Sequence, residues 1–259
     1  MKRAAKIKFL IKIADTVIEV NTLYEECLAR CSDYILQNDE YSVEPDFIVD
    51  IVPRNIMREN VEYQSHFRNK SAPLLYYDPG YLEHFVVQRK ISESIPRFGA
   101  FLMHGTVVAY KGKGFMFTAP SGVGKSTRAK LWLEEFPGSV VINGDKPFLR
   151  AHNNSVYAYG SPWCGKEHWN KNIGVPLCGI FLLERADEGH ESNLEELCFD
   201  EAYLEMLNHV YKPTDPISLS MTLKLLLELK GRVIVYRFRS TNTRESVRLA
   251  WEVATNRMK

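Results

Sequence analysis

The chain has few cysteines, five in 259 residues, and their number is odd. Cys27, Cys31, Cys164, Cys178 and Cys198 contain no C-x-x-C pair, which argues against both a disulfide framework and a zinc ribbon. Cys27 and Cys31 stand four apart on an expected helix, where two buried small residues are a simpler reading than half a metal site. Long apolar runs are lacking as well. None approaches the roughly 18 residues of a membrane-spanning helix, and the longest, Val175 to Leu183, suits a buried strand. No sign of charge prevails: 33 Lys plus Arg face 32 Asp plus Glu, a net +1. No global field therefore draws the molecule to nucleic acid or an anionic membrane, and any anion has to be held locally. Internal repeats and low-complexity tracts are absent too. Met1-Lys2-Arg3 imitates the start of a signal peptide, but Lys8, Lys12 and Asp15 interrupt the next apolar stretch and no small-x-small site appears. The expectation is a first strand in a cytoplasmic protein.

What is present is ordinary globular material, 45% hydrophobic and 25% charged, enough for one sizeable core. Residues 1–98 read as a small N-terminal α+β portion. Strand-like runs lie at Ile7 to Ile13, Val17 to Val20 and Phe47 to Ile51, and Gly80 to Arg97 shows helical spacing at Leu82, Phe85, Val86, Arg89, Ile91 and Ile95. The polar stretches 37–44 and 59–72 read as exposed connections. Residues 99–259 read as a second, larger domain. Thr106 to Tyr110 and Phe115 to Thr118 flank a Gly-containing turn and predict a β-hairpin. A helix from Lys125 to Phe136 is stopped by Pro137-Gly138, and strands come next at Val140 to Asn143, Ser155 to Tyr159 and Gly179 to Leu183. Asp215-Pro216 opens a helix with Leu219, Leu223, Leu226 and Leu227 on one face, ended at Gly231. After a strand at Val233 to Phe238, Asn242 with Glu245 marks the cap of a last helix carrying Val247, Ala250, Trp251 and Ala254 inward. Because the strand before residue 119 is half of a hairpin, the sheet is expected to be mixed α/β rather than all-parallel.

The chemistry concentrates at Ala119-Pro120-Ser121-Gly122-Val123-Gly124-Lys125-Ser126-Thr127, a Walker A pattern with Ala for its first Gly, set between an expected strand and an expected helix. Gly122 and Gly124 can take backbone angles that a Cβ forbids, so successive amides can gather round phosphate oxygens, and the helix starting at Lys125 adds its positive end. Lys125 supplies a cation to the β and γ oxygens, and the Ser126 hydroxyl suits Mg²⁺. The nucleotide-binding set is thus Ser121, Gly122, Val123, Gly124, Lys125, Ser126 and Thr127, with ATP and Mg²⁺ as ligands. Asn143-Gly144-Asp145 ends the next strand, where P-loop proteins hold a metal-binding or acceptor-orienting carboxylate. On spacing alone, plain Gly-Asp turn chemistry before Lys146-Pro147 accounts for it equally well.

His104-Gly105, the hairpin, residues 119–127 and Val141-Ile142-Asn143-Gly144-Asp145 together resemble the HPr kinase/phosphorylase family, whose catalytic fold is shared with phosphoenolpyruvate carboxykinases. The resemblance spans about residues 98 to 185 and implies a mixed-sheet P-loop kinase domain. It further implies transfer of the γ-phosphoryl group of ATP to a seryl or other hydroxyl, with Asp145 as general base and, beside Ser126, metal-site group. Lys125 and His104 complete the implied catalytic set, His104 standing beside the γ-phosphate or acceptor; an ordinary hydrogen-bonded histidine at a strand end is the alternative. Where the family often has two adjacent acids, this chain has Gly144 before Asp145, which leaves one carboxylate to cover both roles or a different group as base. Gly160-Ser161-Pro162-Trp163-Cys164-Gly165-Lys166 looks like a motif of shorter bacterial homologues of that kinase, and it implies an acceptor-side loop in which Trp163 and Lys166 meet substrate, with a structural turn as the alternative. The expected partners are a nucleotide and a peptide, protein or small-molecule hydroxyl acceptor, with oligomeric state left open. The competing reading is a nucleotide-binding regulatory protein or slow ATPase without an acceptor. Guanine specificity is disfavoured, because Asn170-Lys171-Asn172-Ile173 lacks the base-reading aspartate.

Overall fold

The computed structural model describes residues 6–37, 43–67, 77–186 and 190–256. Strands β1 (Ile7–Ile13) and β2 (Thr16–Thr22) form a hairpin through Ala14 and Asp15, both left-handed at φ 49° and 59°, and β3 (Phe47–Asp50) joins β2 in parallel. Two positive φ values in a two-residue connection match the right-handed twist of the strands they join. Helices α1 (Glu25–Arg30), α2 (Pro53–Phe67) and α3 (Pro79–Ser94) complete this portion. Its core of Phe9, Ile11, Val20, Val86, Val87 and Ile91 runs without a break into Phe148 and Trp163 of the remaining chain.

Residues 59–67, expected as an exposed connection, belong to α2, while 68–72 fall outside the described residues. The polarity that suggested a loop is used between helices. Arg89 of α3 pairs with Glu59 at 2.8 Å and with Glu62, and Glu62 also accepts from Arg58 one turn earlier at 3.0 Å. The run 37–44 lies mostly outside the described residues. In α3 the buried positions include Leu82, Val86 and Ile91, with Phe85 and Arg89 only half-buried, and the helix tightens into a short 3₁₀ turn over Ile95–Phe98. Glu83 is also buried there, and its carboxylate accepts from the amides of Leu23 and Tyr24 at 2.6 and 3.0 Å. Cys27 and Cys31 are wholly buried, as expected of small apolar residues, and His84 closes against them, their ligating atoms lying within 4.8 Å. A hydrogen bond to Cys31 and burial push the Cys27 thiol up, and burial pushes His84 down to about 3, so these groups pack uncharged at neutral pH.

The larger sheet contains β4 (Phe101–Leu102), β5 (Thr106–Tyr110), β6 (Lys113–Thr118), β7 (Val140–Asn143), β8 (Phe148–His152), β9 (Ser155–Tyr159) and β10 (Gly174–Arg185), in the order β4-β8-β9-β10-β6-β5-β7. β11 (Asn193–Glu196) and β12 (Val235–Ser240) branch from β10. The expected hairpin is present, turning at Lys111 and Gly112 with φ 50° and 73°. β6 is antiparallel to β5 but parallel to β10, and β10 is parallel to β12, so the architecture is mixed α/β. The parallel pairing brings the ends of β6 and β10 to one edge of the sheet.

Helix α4 (Lys125–Glu135) leaves β6 and buries Trp132 against Phe115 and Phe117, with ring centroids 4.6 and 5.7 Å away. From the same helix Arg128, 2% exposed, donates to the Ser240 and Ser246 hydroxyls and, at 2.7 Å, to the Thr241 carbonyl. Burial draws its pKa down to about 10. Arg128→Ala removes these donations together and leaves a buried gap, although the Ser240 and Ser246 hydroxyls still donate to the Thr241 carbonyl, and it is expected to cost about 2–4 kcal/mol, read from urea unfolding.

After α5 (Phe199–Met206), one helix face and one helix cap differ from expectation. In α6 (Pro216–Leu227), capped by Asp215 as predicted, the buried face is Ser218, Thr222 and Leu226, while Leu227 is 50% exposed. The small hydroxyl residues let the helix approach closely, Thr222 returning its hydroxyl to the Ser218 carbonyl at 2.8 Å. In α7 (Arg244–Asn256) the Thr243 hydroxyl, not the Asn242 side chain, accepts from the third helical amide, Ser246 N, at 3.4 Å. No helix among the described residues is long and apolar enough to cross a membrane.

Candidate functional site

Between the end of β6 at Thr118 and the start of α4 at Lys125 the chain turns through Gly122 and Gly124, at φ 83° and 121°. A side chain is strained at either angle. Gly124 is the N-cap of α4 and offers no side-chain cap, so the first-turn amides, which have no intrahelical acceptor, stand available to an anion. Lys125 is 9% exposed, and its ammonium donates to the carbonyls of Ala119 at 2.8 Å and Pro120 at 3.3 Å. Burial lowers its pKa, with the Asp145 charge opposing. Ser121, Ser126 and Thr127 line the cleft in front of the loop. The Val123 side chain instead packs on the core beneath, which leaves its backbone as the part that can meet a ligand.

The opposite wall is built by Asn143. Its side-chain oxygen accepts from the amides of Asp145 and Lys146 at 2.9 and 2.6 Å, and its amide nitrogen donates to the Ser161 carbonyl at 3.0 Å. This is an Asx turn, so the local turn chemistry read from the sequence is real. The same turn carries Asp145 into the cleft that the glycine loop faces. His104, in the connection from β4 to β5, is held by its amide on the His209 carbonyl at 2.7 Å and by the Thr118 hydroxyl on its own carbonyl at 2.7 Å. Gly105 N donates to the Asp145 carbonyl at 3.0 Å, and the Thr106 hydroxyl to that of Gly144 at 2.9 Å. The His104 and Asp145 segments are therefore tied together through their backbones.

Their side chains meet as well: His104 Nδ1 lies 3.0 Å from Asp145 Oδ1 and 3.1 Å from Lys146 Nζ, which is itself 3.6 Å from Asp145 Oδ2. One ring nitrogen serves only one of these partners at a time, donating to the carboxylate or accepting from the ammonium. Burial pushes the Asp145 carboxyl up, but the His104 hydrogen bond and the charges of Lys146 and Lys125 outweigh it and hold it below the ordinary value. Burial, aided by the charges of His104 and Lys125, pushes His209 down to about 4, which leaves it neutral near pH 7.

Gly144 has a steric reason to be glycine. A Cβ there would lie 2.6 Å from the Cys164 carbonyl oxygen, inside any real contact. The loop packed against the turn thus excludes a second acid beside Asp145. Gly144→Asp is expected to destabilise the fold by about 1–3 kcal/mol, seen as a lowered urea midpoint, without raising turnover.

Of the residues expected in the 160–166 loop, Lys166 is exposed and borders the cleft. Trp163, read as a surface for packing substrate or base, is 4% exposed. Its indole N–H donates to the His84 carbonyl at 3.0 Å, and its ring lies near Phe148 and His84, so most of it is core. Its aromatic area is worth more against α3 than in water. Cys164 is buried and its thiol is pushed up by that burial, which suits packing rather than nucleophilic chemistry.

The cleft has a volume of about 610 Å³, in the range of small-ligand sites. A glycine turn with uncapped helix amides fits a polyphosphate. The Ser126 hydroxyl and Asp145 carboxylate, both lining it, form an all-oxygen pair of the kind a hard divalent cation takes. Sequence reading missed Lys130 on the same wall and Arg185, which donates to the Gly122 carbonyl at 2.8 Å. Arg185 arrives only because β10 is parallel to β6, and nothing local to residue 185 announces that. Lys146 had a signal, its place directly after Asp145.

No family model and no curated protein matches the chain. Among solved structures it is similar to the Hpr(Ser) kinase/phosphatase from Coxiella burnetii, at 10% identity over 61% of this chain and 96% of that one, with a TM-score of 0.35. So slight a likeness adds no weight to the site, which stands on its own residues.

Proposed function

We propose that the turn from Ala119 to Thr127 is a phosphate-binding P-loop and that the protein is an ATP-dependent phosphotransferase acting on a hydroxyl acceptor. One observation supports the reading: the glycine turn with Lys125 and the Asp145–His104 pair line a single cleft, close enough for the Lys125 and Asp145 charges to act on each other. A phosphate cradle alone describes a nucleotide binder, whereas an ionised carboxylate opposite it describes a site that can also take a proton.

In the proposed reaction the loop amides and Lys125 hold the β- and γ-phosphates, the lysine exchanging its carbonyl partners for phosphate oxygens. Ser126 and Asp145 would hold a magnesium ion, which would supply neutralisation of phosphate charge. The acceptor oxygen forms its bond to the γ-phosphorus as the bond to the bridging β–γ oxygen breaks. The hydroxyl proton passes to Asp145, which His104 and Lys146 keep ionised and oriented, and the products are ADP and a phosphate monoester. With Gly144 beside it, Asp145 is the one carboxylate of this turn for both tasks.

The test is calorimetry of MgATP binding combined with γ-labelled ATP to trace the phosphoryl group. Binding with label appearing in an acceptor supports the reading. Tight binding with label found nowhere but in ATP or free phosphate would leave a regulatory nucleotide binder or slow ATPase in its place.

A further inference from the structure

A second cleft, about 470 Å³, adjoins the first and shares Asp145, Gly165 and Lys166 with it. Its far wall comes from the N-terminal portion, with Arg30 at the end of α1 and Tyr81 and Phe85 on α3. Asp145 therefore stands at the junction, the place a proton acceptor occupies between a phosphoryl donor on one side and a hydroxyl on the other.

The charges around this second cleft are unbalanced. Arg30, Lys146 and Lys166 line it, and Asp145 is the single carboxylate among its lining residues. Asp145 is already engaged by His104 and Lys146. Among the described residues no carboxylate lies within 4.0 Å of Arg30 or Lys166, and the Arg30 guanidinium rests over the Tyr81 ring, 5.4 Å from its centroid. Tyr81 and Phe85 pack edge to face at 5.0 Å and give that cation a firm floor. Glu26, one turn back on α1, acts on Arg30 only from beyond ion-pair contact, and positive charge so incompletely balanced, in a pocket of small-molecule size, is how a protein selects an anionic ligand.

Resting on the kinase reading above, we infer that this second cleft is the acceptor site, that residues of the N-terminal portion build it, and that the acceptor is a small hydroxy acid whose acid group is held by Arg30 and Lys166. Its hydroxyl is then presented to Asp145 at the mouth shared with the nucleotide cleft. The volume fits a free small molecule better than the surface of a folded protein.

The probes are glycerate against glycerol and 3-hydroxypropionate against 1,3-propanediol, pairs that differ by a carboxylate in place of a hydroxymethyl group. A seryl peptide with blocked termini is added as an uncharged peptide source of hydroxyl. Phosphoryl transfer from MgATP is tracked by ³¹P NMR, and acid binding without nucleotide by ligand-observed proton NMR. The expected result is that the acids bind and accept phosphate while the diols and the blocked peptide do not. Arg30→Gln, at an exposed helix end, is expected to raise the KM for the acid by roughly tenfold or more, with MgATP affinity unchanged and partial rescue by Arg30→Lys. Equal use of acids and diols, efficient use of the blocked peptide, an unchanged KM in Arg30→Gln, or no acid accepted while MgATP binds would each overturn the inference. If MgATP does not bind the wild-type protein, the kinase reading falls. Acid binding that Arg30→Gln abolishes would still mark the second cleft as an anion site, and its absence would remove that site as well.

Discussion

Replacing Lys125 by alanine is expected to lower kcat/KM for phosphoryl transfer by at least about 10³-fold, with the fold intact. The lysine is the cation of the glycine turn, and burial has already stripped much of its hydration. Its present partners, the carbonyls of Ala119 and Pro120, are neutral acceptors. Exchange of these for phosphate oxygens replaces neutral acceptors with anionic ones, so the ammonium's hydrogen bonds gain ion-pair attraction in a site of low dielectric. Methionine at 125 is the informative companion, because it keeps the apolar stem without the charge. Circular dichroism and urea midpoint close to wild type, with turnover lost in both variants, is the outcome that fits. Near-normal turnover in Lys125→Ala would remove the assignment of this turn as a catalytic phosphate site.

Asp145→Asn is expected to reduce kcat by about 10²–10⁴-fold while nucleotide still binds. Asparagine keeps the shape of the side chain and can still meet His104 and Lys146, but it cannot take a proton from an attacking hydroxyl. Loss of a negative charge opposite the triphosphate should leave metal-free ATP binding equal to or tighter than wild type, while dependence on Mg²⁺ weakens. The sign of the pKa shift sets the pH dependence. His104, Lys146 and Lys125 together hold the carboxyl below its ordinary value, so the base-competent form is present near neutrality and is lost only as pH falls through that lowered pKa. The acid limb due to Asp145 should therefore lie below about pH 4. The deficit of the asparagine variant should be constant from about pH 5 to 8, measured in single-turnover kinetics. An acid limb near pH 6 that survives in Asp145→Asn would assign the proton transfer to another group.

Much of the local structure was readable from residue order. The hairpin around Lys111-Gly112, the helix starting at Lys125 and the Asp215 cap all depend on neighbours in sequence, and all are present. Where reading failed, distant partners outweighed local polarity. Residues 59–67 are helical, and their Glu59 and Glu62 are partnered by Arg89 from another helix, which no local window shows. The inward face of α6 turned from Leu227 to Thr222 because hydroxyls that bond back to their own helix cost little to bury. Trp163 is mostly drawn into the core while still lining the second cleft, because the helix it packs against, α3, comes from some eighty residues earlier.

The candidate site divides in the same way. Residues 119–127 declare their chemistry in order of appearance, since an amide cradle is made by consecutive backbone groups and needs nothing from afar. Asn143-Gly144-Asp145 announced a turn and a carboxylate; the Asx bonds of Asn143 and the 3.0 Å approach of His104 place the turn and a carboxylate–histidine pair in one segment. Gly144 looked like a missing acid until the Cys164 carbonyl was seen 2.6 Å from where its Cβ would stand. Arg30 and Tyr81 reach the second cleft, and Arg185 the Gly122 carbonyl, only through α1, α3 and the parallel pairing of β10 with β6, contacts that span more than sixty residues. Short-range chemistry is written in adjacent letters because covalent connection enforces it, whereas convergence of remote side chains depends on how the sheets and helices close over one core, which no window of sequence contains.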